Sequence, residues 1–154
     1  ENMYFTGDGA FRDDQGNFRI TGRVDDVIIV SGHNLGTAPI EDAINEHEKV
    51  AESAIVGFPH DIKGNALYGF VTLKDDINDV DLIRNEINIL ISNKIGPIAK
   101  LDKVQFTNGL PKTRSGKIMR RILRKIASKQ YENLGDISTL LNPEIVYEIK
   151  QNSL

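Results

Sequence analysis

The feature that most constrains this chain is residues 111–127, where a glycine and a lysine stand directly ahead of an amphipathic pattern. Gly116 can adopt backbone angles that a residue with a Cβ atom avoids, so Lys117 can be presented from a tight turn. Apolar residues then recur at helical spacing and predict one buried helix face, made by Met119, Ile122, Leu123, Ile126 and Ala127. Ser115 is the predicted N-cap of this helix. A lysine at the positive end of a helix dipole suits an anionic ligand.

The same region carries an uneven share of the charge. Residues 111–130 hold 8 of the 19 lysines and arginines and no acidic residue, whereas the rest of the chain holds all 22 acidic residues. Such a polarised distribution is compatible with binding to RNA, DNA or an anionic membrane. The basic segment has no aromatic residue, which argues against stacking on single-stranded nucleic acid. A basic nucleic-acid-binding module is therefore the alternative from a different functional class.

The remaining pattern predicts short strands and helices. Residues 4–6 and 17–20 are predicted to pair as a hairpin around a turn at 13–16. Further strands are predicted at 27–30, 50–58, 67–73 and 101–106, with a loop at 31–36 and helices at 39–47, 82–95 and from 142 onwards. The predicted fold class is α+β: an N-terminal β-hairpin, then a small domain with a short, mainly antiparallel sheet packed by helices.

Length and composition limit the other possibilities. A chain of 154 residues can bury roughly 70% of its unfolded surface, which suffices for one core. The chain has no cysteine, which excludes a disulfide framework and a thiolate metal site. No apolar run approaches the ~20 residues of a membrane span, and no signal peptide is visible. We expect a cytoplasmic protein without a membrane partner.

Six motifs occur in the order in which they occur in one enzyme family. They read YFTGD at 4–8, ITGRVDD at 20–26, VSGH at 30–33, PHDIKG at 59–64, IGPIA at 95–99 and PKTRSGKIMRR at 111–121. The chain closely resembles the C-terminal part of AMP-forming acetyl-CoA synthetases, within the adenylate-forming acyl-CoA synthetase superfamily. The resemblance implies the C-terminal lobe of these enzymes, with residues 1–24 as the end of a large adenylation domain and 25–154 as a mobile C-terminal domain.

The resemblance also implies an activity. Acetate, ATP with Mg²⁺, and coenzyme A would give acetyl-CoA, AMP and pyrophosphate through an acetyl-adenylate, with no nucleic-acid partner. The chain lacks an initiator methionine, so we expect an excised portion that needs its missing N-terminal domain and is inactive alone. Propionate or another short acid is the alternative substrate, because the acyl pocket would lie mostly in the missing domain.

Residue roles follow from the same resemblance. Lys117 matches the catalytic lysine of adenylation, and Asp25 matches the hinge about which the domain rotates. Asp8 matches an aspartate that accepts hydrogen bonds from the ribose hydroxyls, and Arg23 matches an arginine that contacts the nucleotide. Asn34 stands where acetyl-CoA synthetases usually have a phosphate-binding arginine. An asparagine has no charge and cannot replace a bidentate contact.

The remaining predicted sites concern coenzyme A, a metal and a modification. Ser31 and Gly32 match the tunnel for the pantetheine arm, whereas His33 is expected to pack rather than to act as a base. Ser92 replaces a coenzyme A-binding arginine, and Lys94 could compensate for it. His47 and Val50 match a stretch that can hold magnesium in relatives, although packing is the favoured role of His47. Acetylation of Lys117 would remove its charge and inactivate the enzyme, which implies a lysine acetyltransferase and deacetylase as partners.

Overall fold

A computed structural model describes residues 3–74 and 79–154, without the side chain of Asn133. The chain opens with an antiparallel hairpin of strands β1 (Asp8–Arg12) and β2 (Phe18–Arg23). Asp13 closes the turn, because its Oδ1 atom accepts hydrogen bonds from the backbone N–H groups of Gln15 and Asn17. The prediction of a strand at 4–6 is wrong. Strand pairing begins at Asp8, opposite Arg23 at the end of β2, and residues 4–6 have no partner strand.

A five-stranded sheet forms the centre of the chain after this hairpin. Its strands are β3 (Val27–Val30), β4 (His33–Gly36), β5 (Val50–His60), β6 (Gly64–Leu73) and β7 (Lys103–Phe106). The order is β4-β3-β6-β5, and β7 adds to β6 in parallel while the other pairs are antiparallel. The predicted loop at 31–36 is therefore wrong for 33–36, which pair with β3. The predicted mainly antiparallel sheet is confirmed.

Helices cover both faces of this sheet. They are α1 (Thr37–Asn45), α2 (Val80–Lys94), α3 (Arg120–Ala127) and α4 (Glu144–Gln151). Alternate residues of a strand point to opposite faces, so β6 places Leu67 and Val71 in the cluster with α1 and α2. Tyr68 and Phe70 of the same strand lie in the cluster with α3 and α4. The α+β class is confirmed, and the second of these clusters holds the basic helix α3 against the sheet.

The apolar face predicted for the basic helix is largely confirmed. Ile122, Leu123, Ile126 and Ala127 are buried, while Met119 packs against the same core from the position before the helix. The final helix likewise buries Ile145, Val146 and Ile149. Among residues 3–74 and 79–154, every helix is too short or too polar to cross a lipid bilayer.

Candidate active site

Lys117 lies in a short hairpin, residues 111–119, which we call the lysine hairpin. Its two arms are joined by hydrogen bonds from Met119 N–H to Pro111 O at 2.8 Å and from Thr113 N–H to Lys117 O at 2.9 Å. At the tip, Gly116 N–H donates to Thr113 O at 2.9 Å, and the φ angle of Gly116 is 82°. That angle is favourable for glycine and strained for residues with a Cβ atom, so Gly116 permits the tight turn.

The structure corrects the prediction that Ser115 caps a helix. Helix α3 begins only at Arg120, and the hydroxyl of Ser115 bonds to Thr113 Oγ1 at 2.9 Å. The backbone N–H of Lys117 is also taken by Thr113 Oγ1, at 3.1 Å. Because these local bonds compete with helix formation, Lys117 stands on a hairpin ahead of the helix rather than in its first turn.

The segment before α4 anchors the first arm of the lysine hairpin. The side chain of Asn142 accepts a hydrogen bond from Lys112 N–H at 3.1 Å and donates one to Leu110 O at 3.0 Å. Leu141 N–H donates to Lys112 O at 2.8 Å, and Thr113 pairs with Leu140. The arm is therefore bonded to a neighbouring segment as a strand is bonded in a sheet.

The lysine hairpin borders a groove of about 290 Å³ that we call the lysine groove. Its lining comes from both ends of the chain: Arg23, Asp25, Asp26, Lys117, Ile118, Met119, Arg120, Arg121 and Arg124. The structure thus brings the predicted catalytic lysine together with the predicted hinge residue and one predicted nucleotide ligand.

Three of the five cations that line this groove are ion-paired to carboxylates. The pairs are Arg23 with Asp25 and Asp8, at 3.0 and 3.4 Å, Arg124 with Asp26, at 3.3 Å, and Arg120 with Glu41. The hydrogen bond from Arg23 lowers the pKa of the Asp25 carboxyl, and the same bond raises the pKa of Arg23. The positive charge of these arginines is therefore largely balanced within the chain.

Lys117 and Arg121 differ from those arginines. Neither forms an ion pair with a carboxylate in the part of the chain that the structure describes, residues 3–74 and 79–154. Lys117 is exposed, whereas the guanidinium of Arg121 lies against Gly135. A compact ammonium on a flexible stem, held at an exposed tip, can approach an anion that enters the groove.

The predicted nucleotide residues lie close together. A second cleft, of about 240 Å³, separates β2 from the start of α1, and both Arg23 and Asn34 line it. Asp8 is joined to them through its contact with Arg23 Nη1. Arg23 lines this cleft and the lysine groove, so a ligand that bridges the two would contact Arg23 in both.

Ser31 and Gly32 form the two-residue turn between β3 and β4. Their φ angles are 49° and 83°, and positive values at both central residues are typical of a type I′ hairpin turn. The turn is exposed, and Ser31 N–H donates to Lys63 O at 3.0 Å. His33 Nδ1 donates to Ser31 O at 3.2 Å. Neither Ser31 nor Gly32 lines the lysine groove.

Ser92 replaces the arginine that relatives offer to coenzyme A, and Lys94 is the position predicted to compensate for it. The hydroxyl of Ser92 is shielded from solvent and has no hydrogen-bond partner among the described residues. Lys94 forms an ion pair with Glu46. A role of Ser92 in coenzyme A binding stays a prediction.

The imidazole at the predicted metal site is already engaged in hydrogen bonds. His47 is buried, its Nε2 atom donates to Glu86 at 3.0 Å, and its Nδ1 atom accepts from Lys49 N–H at 3.3 Å. Both ring nitrogens are therefore used, and Mg²⁺ prefers oxygen ligands. Residues 3–74 and 79–154 contain no group of three or more His, Cys, Asp or Glu residues placed to hold a metal. Magnesium at His47 and Val50 stays a prediction that would involve backbone oxygens.

Two residues of this site were not predicted from the sequence. Glu41 is buried on α1 and is bonded to α3, the helix that follows the lysine hairpin. Asn142 is bonded to the hairpin itself. A signal existed for Glu41, because it shares the core-facing spacing of Thr37 and Ile44 and thus places a charge on a buried face. No comparable local signal marks Asn142, which was predicted only as the start of the last helix; that helix begins at Glu144.

Comparisons with known proteins show which family the chain is similar to. The profile of the AMP-binding enzyme C-terminal domain matches residues 39–117. The chain is 59% identical over 144 residues to an acetyl-coenzyme A synthetase of Alkalilimnicola ehrlichii, a match covering 94% of this chain and 22% of that protein. It is 57% identical over 149 residues to an acetyl-coenzyme A synthetase of Leptospira biflexa, covering 97% and 23%. The chain thus spans under a quarter of these relatives.

Solved structures resemble the chain as well. An ATP-bound RpMatB-BxBclM chimera is 29% identical with a TM-score of 0.75, covering 84% of this chain and 26% of the chimera. An anthranilate CoA ligase in complex with anthranoyl-AMP is also 29% identical, with a TM-score of 0.74, covering 81% of this chain and 24% of the ligase.

Proposed function

This chain belongs to the AMP-binding enzyme C-terminal domain family, and we propose that it is the C-terminal lobe of an AMP-forming acetyl-CoA synthetase. The proposal is supported by 57–59% identity to acetyl-coenzyme A synthetases over nearly the whole chain. Since the chain spans only 22–23% of these relatives, the large adenylation domain would be supplied by the same polypeptide. We call that polypeptide, with this chain at its C-terminus, the complete enzyme.

Lys117 would act in the first half-reaction. The carboxylate of acetate attacks the α-phosphorus of ATP, a new C–O–P linkage forms, and pyrophosphate leaves. Two anions must approach each other, and an ammonium between them offsets the repulsion and stabilises the charge that develops in the transition state. The observation that carries this proposal is the exposed Lys117, which has no carboxylate partner among residues 3–74 and 79–154, beside three arginines that are already paired. Mg²⁺ bound with ATP would supply further charge neutralisation.

The second half-reaction would need another face of this chain. Rotation about Asp25 would withdraw Lys117 and bring the exposed turn of Ser31 and Gly32 to the acyl-adenylate. The sulfur of coenzyme A then attacks the acyl carbon and AMP leaves. The separation of that turn from the lysine groove supports two alternating faces. Substrates of this kind are consistent with the predicted cytoplasmic location, which stays a prediction.

Lysine acetylation remains part of the proposal as a means of regulation. The exposed position of Lys117 makes its amine accessible to an acetyltransferase, and amide formation would remove the charge. Undiminished adenylation by enzyme fully acetylated at Lys117 would refute this. The nucleic-acid alternative has no comparable support, because Arg120 and Arg124 of the basic segment are paired within the chain.

The test is Lys117→Ala in the complete enzyme. We expect adenylation, measured as acetate-dependent exchange of pyrophosphate into ATP, to fall roughly 10²-fold or more. Thioester formation from supplied acetyl-adenylate should be nearly unchanged. Lys129→Ala is the control, because it removes an equal charge from the same basic segment outside the groove. An upstream reading frame without an adenylation domain, or an equal fall in both half-reactions, would overturn the proposal. Exchange with propionate distinguishes the alternative substrate.

A further inference from the structure

We propose that Glu41 is a positioning residue for adenylation, which holds the lysine hairpin in place through Arg120. This inference rests on the proposed function and names a residue that no motif of the basic segment includes. The carboxylate of Glu41 is buried, and through Arg120 its contacts reach the second arm of the hairpin.

Glu41 joins three elements. The residue is 7% exposed, and its Oε1 atom accepts a hydrogen bond from the backbone N–H of Ile55 in β5 at 2.8 Å. Arg120 of α3 donates from Nη2 to Oε2 and from Nε to Oε1, the latter at 3.3 Å. Two donors of one planar guanidinium on two oxygens define orientation as well as distance. Glu41 therefore ties the start of α3 to α1 and to the sheet.

The contact continues directly into the lysine hairpin. Arg120 is the first residue of α3, and the residue before it, Met119, closes the hairpin by donating to Pro111 O. Asn142 anchors the first arm, so Glu41 and Asn142 hold the two arms from different sides. Lys117 projects from between these two anchors. Loosening one of them would let the tip shift, and a misplacement of about 1 Å can lower a rate about 10²-fold.

The pair also controls charge in the lysine groove. Arg120 lines that groove together with Lys117. While Glu41 holds its guanidinium, Arg120 is neutralised and directed toward α1. Released from Glu41, it would be a second mobile cation beside Lys117 in that groove.

Stability alone gives no adequate reason for this pair. Burial raises the pKa of the Glu41 carboxyl despite the hydrogen bonds from Ile55 and Arg120, which lower it. Desolvation therefore outweighs the attraction, as is common for buried ion pairs, where a neutral residue of similar shape is often as stable. A neutral residue could match the stability of the pair, but it would not hold Arg120, and with it the lysine hairpin, in position.

The test is Glu41→Gln in the complete enzyme. Glutamine keeps the acceptor for Ile55 N–H and nearly the same volume, but loses the charge that holds Arg120. We expect kcat for adenylation to fall on the order of tenfold, with KM for ATP and the thioester step unchanged. Asp102→Asn is the matched control, because Asp102, like Glu41, pairs with a cation, here Lys63, and accepts a hydrogen bond from a strand N–H, that of Leu67. It should leave adenylation unchanged.

Two further variants make the outcome decisive. In an Arg120→Gln background, the effect of Glu41→Gln on kcat should disappear, since both act through one contact. Arg120→Lys should lower kcat partly, and it tests the same contact should Glu41→Gln fail to fold. Normal kcat in Glu41→Gln, with slow adenylation in Lys117→Ala, would overturn this inference alone. Normal adenylation in Lys117→Ala would overturn the proposed function. Equal falls in Glu41→Gln and Asp102→Asn would mean that Glu41 has only a structural role.

Discussion

Arg23 donates a hydrogen bond from Nε to Asp25 Oδ1 at 3.0 Å, so the predicted nucleotide ligand holds the predicted hinge residue directly. Its Nη1 atom also donates to Thr6 O at 3.1 Å and contacts Asp8 at 3.4 Å. One side chain thus connects the N-terminal hairpin, the hinge position and the lysine groove. A ligand that draws Arg23 away would release Asp25, which links substrate binding to hinge motion in the proposed cycle.

The hinge proposal predicts a selective effect of Asp25→Pro. Asp25 lies in a short 3-10 turn, Val24–Asp26, and the φ angle typical of such turns is compatible with proline, so we expect proline to restrict the chain near the present conformation. We expect adenylation to persist and thioester formation to fall at least tenfold, measured as separate half-reactions. Asp25→Ala is the control, because it removes the contact with Arg23 but leaves φ free. If alanine and proline behave alike, the ion pair rather than rotation is responsible.

We expect the tip of the lysine hairpin to require the left-handed backbone conformation that Gly116 adopts. A Cβ atom at Gly116 would meet nothing within 4 Å, so Gly116→Ala tests conformation without a steric clash. With φ at 82°, alanine should destabilise the turn by about 1–2 kcal/mol and slow adenylation. Asparagine tolerates this region better, so Gly116→Asn should recover part of the rate. Equal rates for alanine and glycine would show that the turn is not constrained.

The two hydrogen bonds of Asn142 predict that a substitution at this position affects the function of Lys117. Asn142→Ala should reduce the free energy of unfolding of this chain by about 1–3 kcal/mol, because buried backbone partners lose their bonds. It should also slow adenylation in the complete enzyme. Asn88 is a matched control, since its side chain bonds both the N–H and the O of Leu101 at another site. Asn88→Ala should destabilise similarly without slowing adenylation; equal slowing would contradict the specific coupling.

The Glu41 carboxyl predicts a pH dependence of stability. Its pKa is raised from 4.5, chiefly by burial, with Arg120 and the N–H of Ile55 opposing and Asp26 adding to the rise. Because the pKa is raised in the folded state, the contribution of this carboxyl to the free energy of unfolding is fully present below about pH 4.5. It is lost as the pH rises through the folded-state pKa. Glu41→Gln lacks this loss. The free energy of unfolding of the wild-type chain, relative to Glu41→Gln, should therefore decrease from pH 4.5 to pH 7.5 in urea titrations. A constant or increasing difference would contradict the assignment.

Much of the fold was open to prediction because its determinants are local. Alternating and helical apolar spacing predicted strands β5 and β6 and the buried face of α3, and Gly116 correctly indicated a tight turn. The predictions failed where strand pairing or a competing side-chain hydrogen bond, rather than residue type, decided the local structure. Residues 4–6 look like a strand but have no partner strand, and Ser115 looks like a cap but bonds to Thr113.

By itself, the sequence determined the α+β class, the family resemblance and the choice of Lys117, since each depends on residue order and spacing. Only the tertiary structure decided which charges meet. Glu41 and Arg120 are 79 positions apart, and Arg124 and Asp26 are 98 positions apart. Periodicity describes the neighbours of a residue within one element, whereas ion pairing depends on how elements pack. The balance that leaves Lys117 without a carboxylate partner in the described residues could therefore be read only after α1, α3 and the turn Val24–Asp26 were placed together.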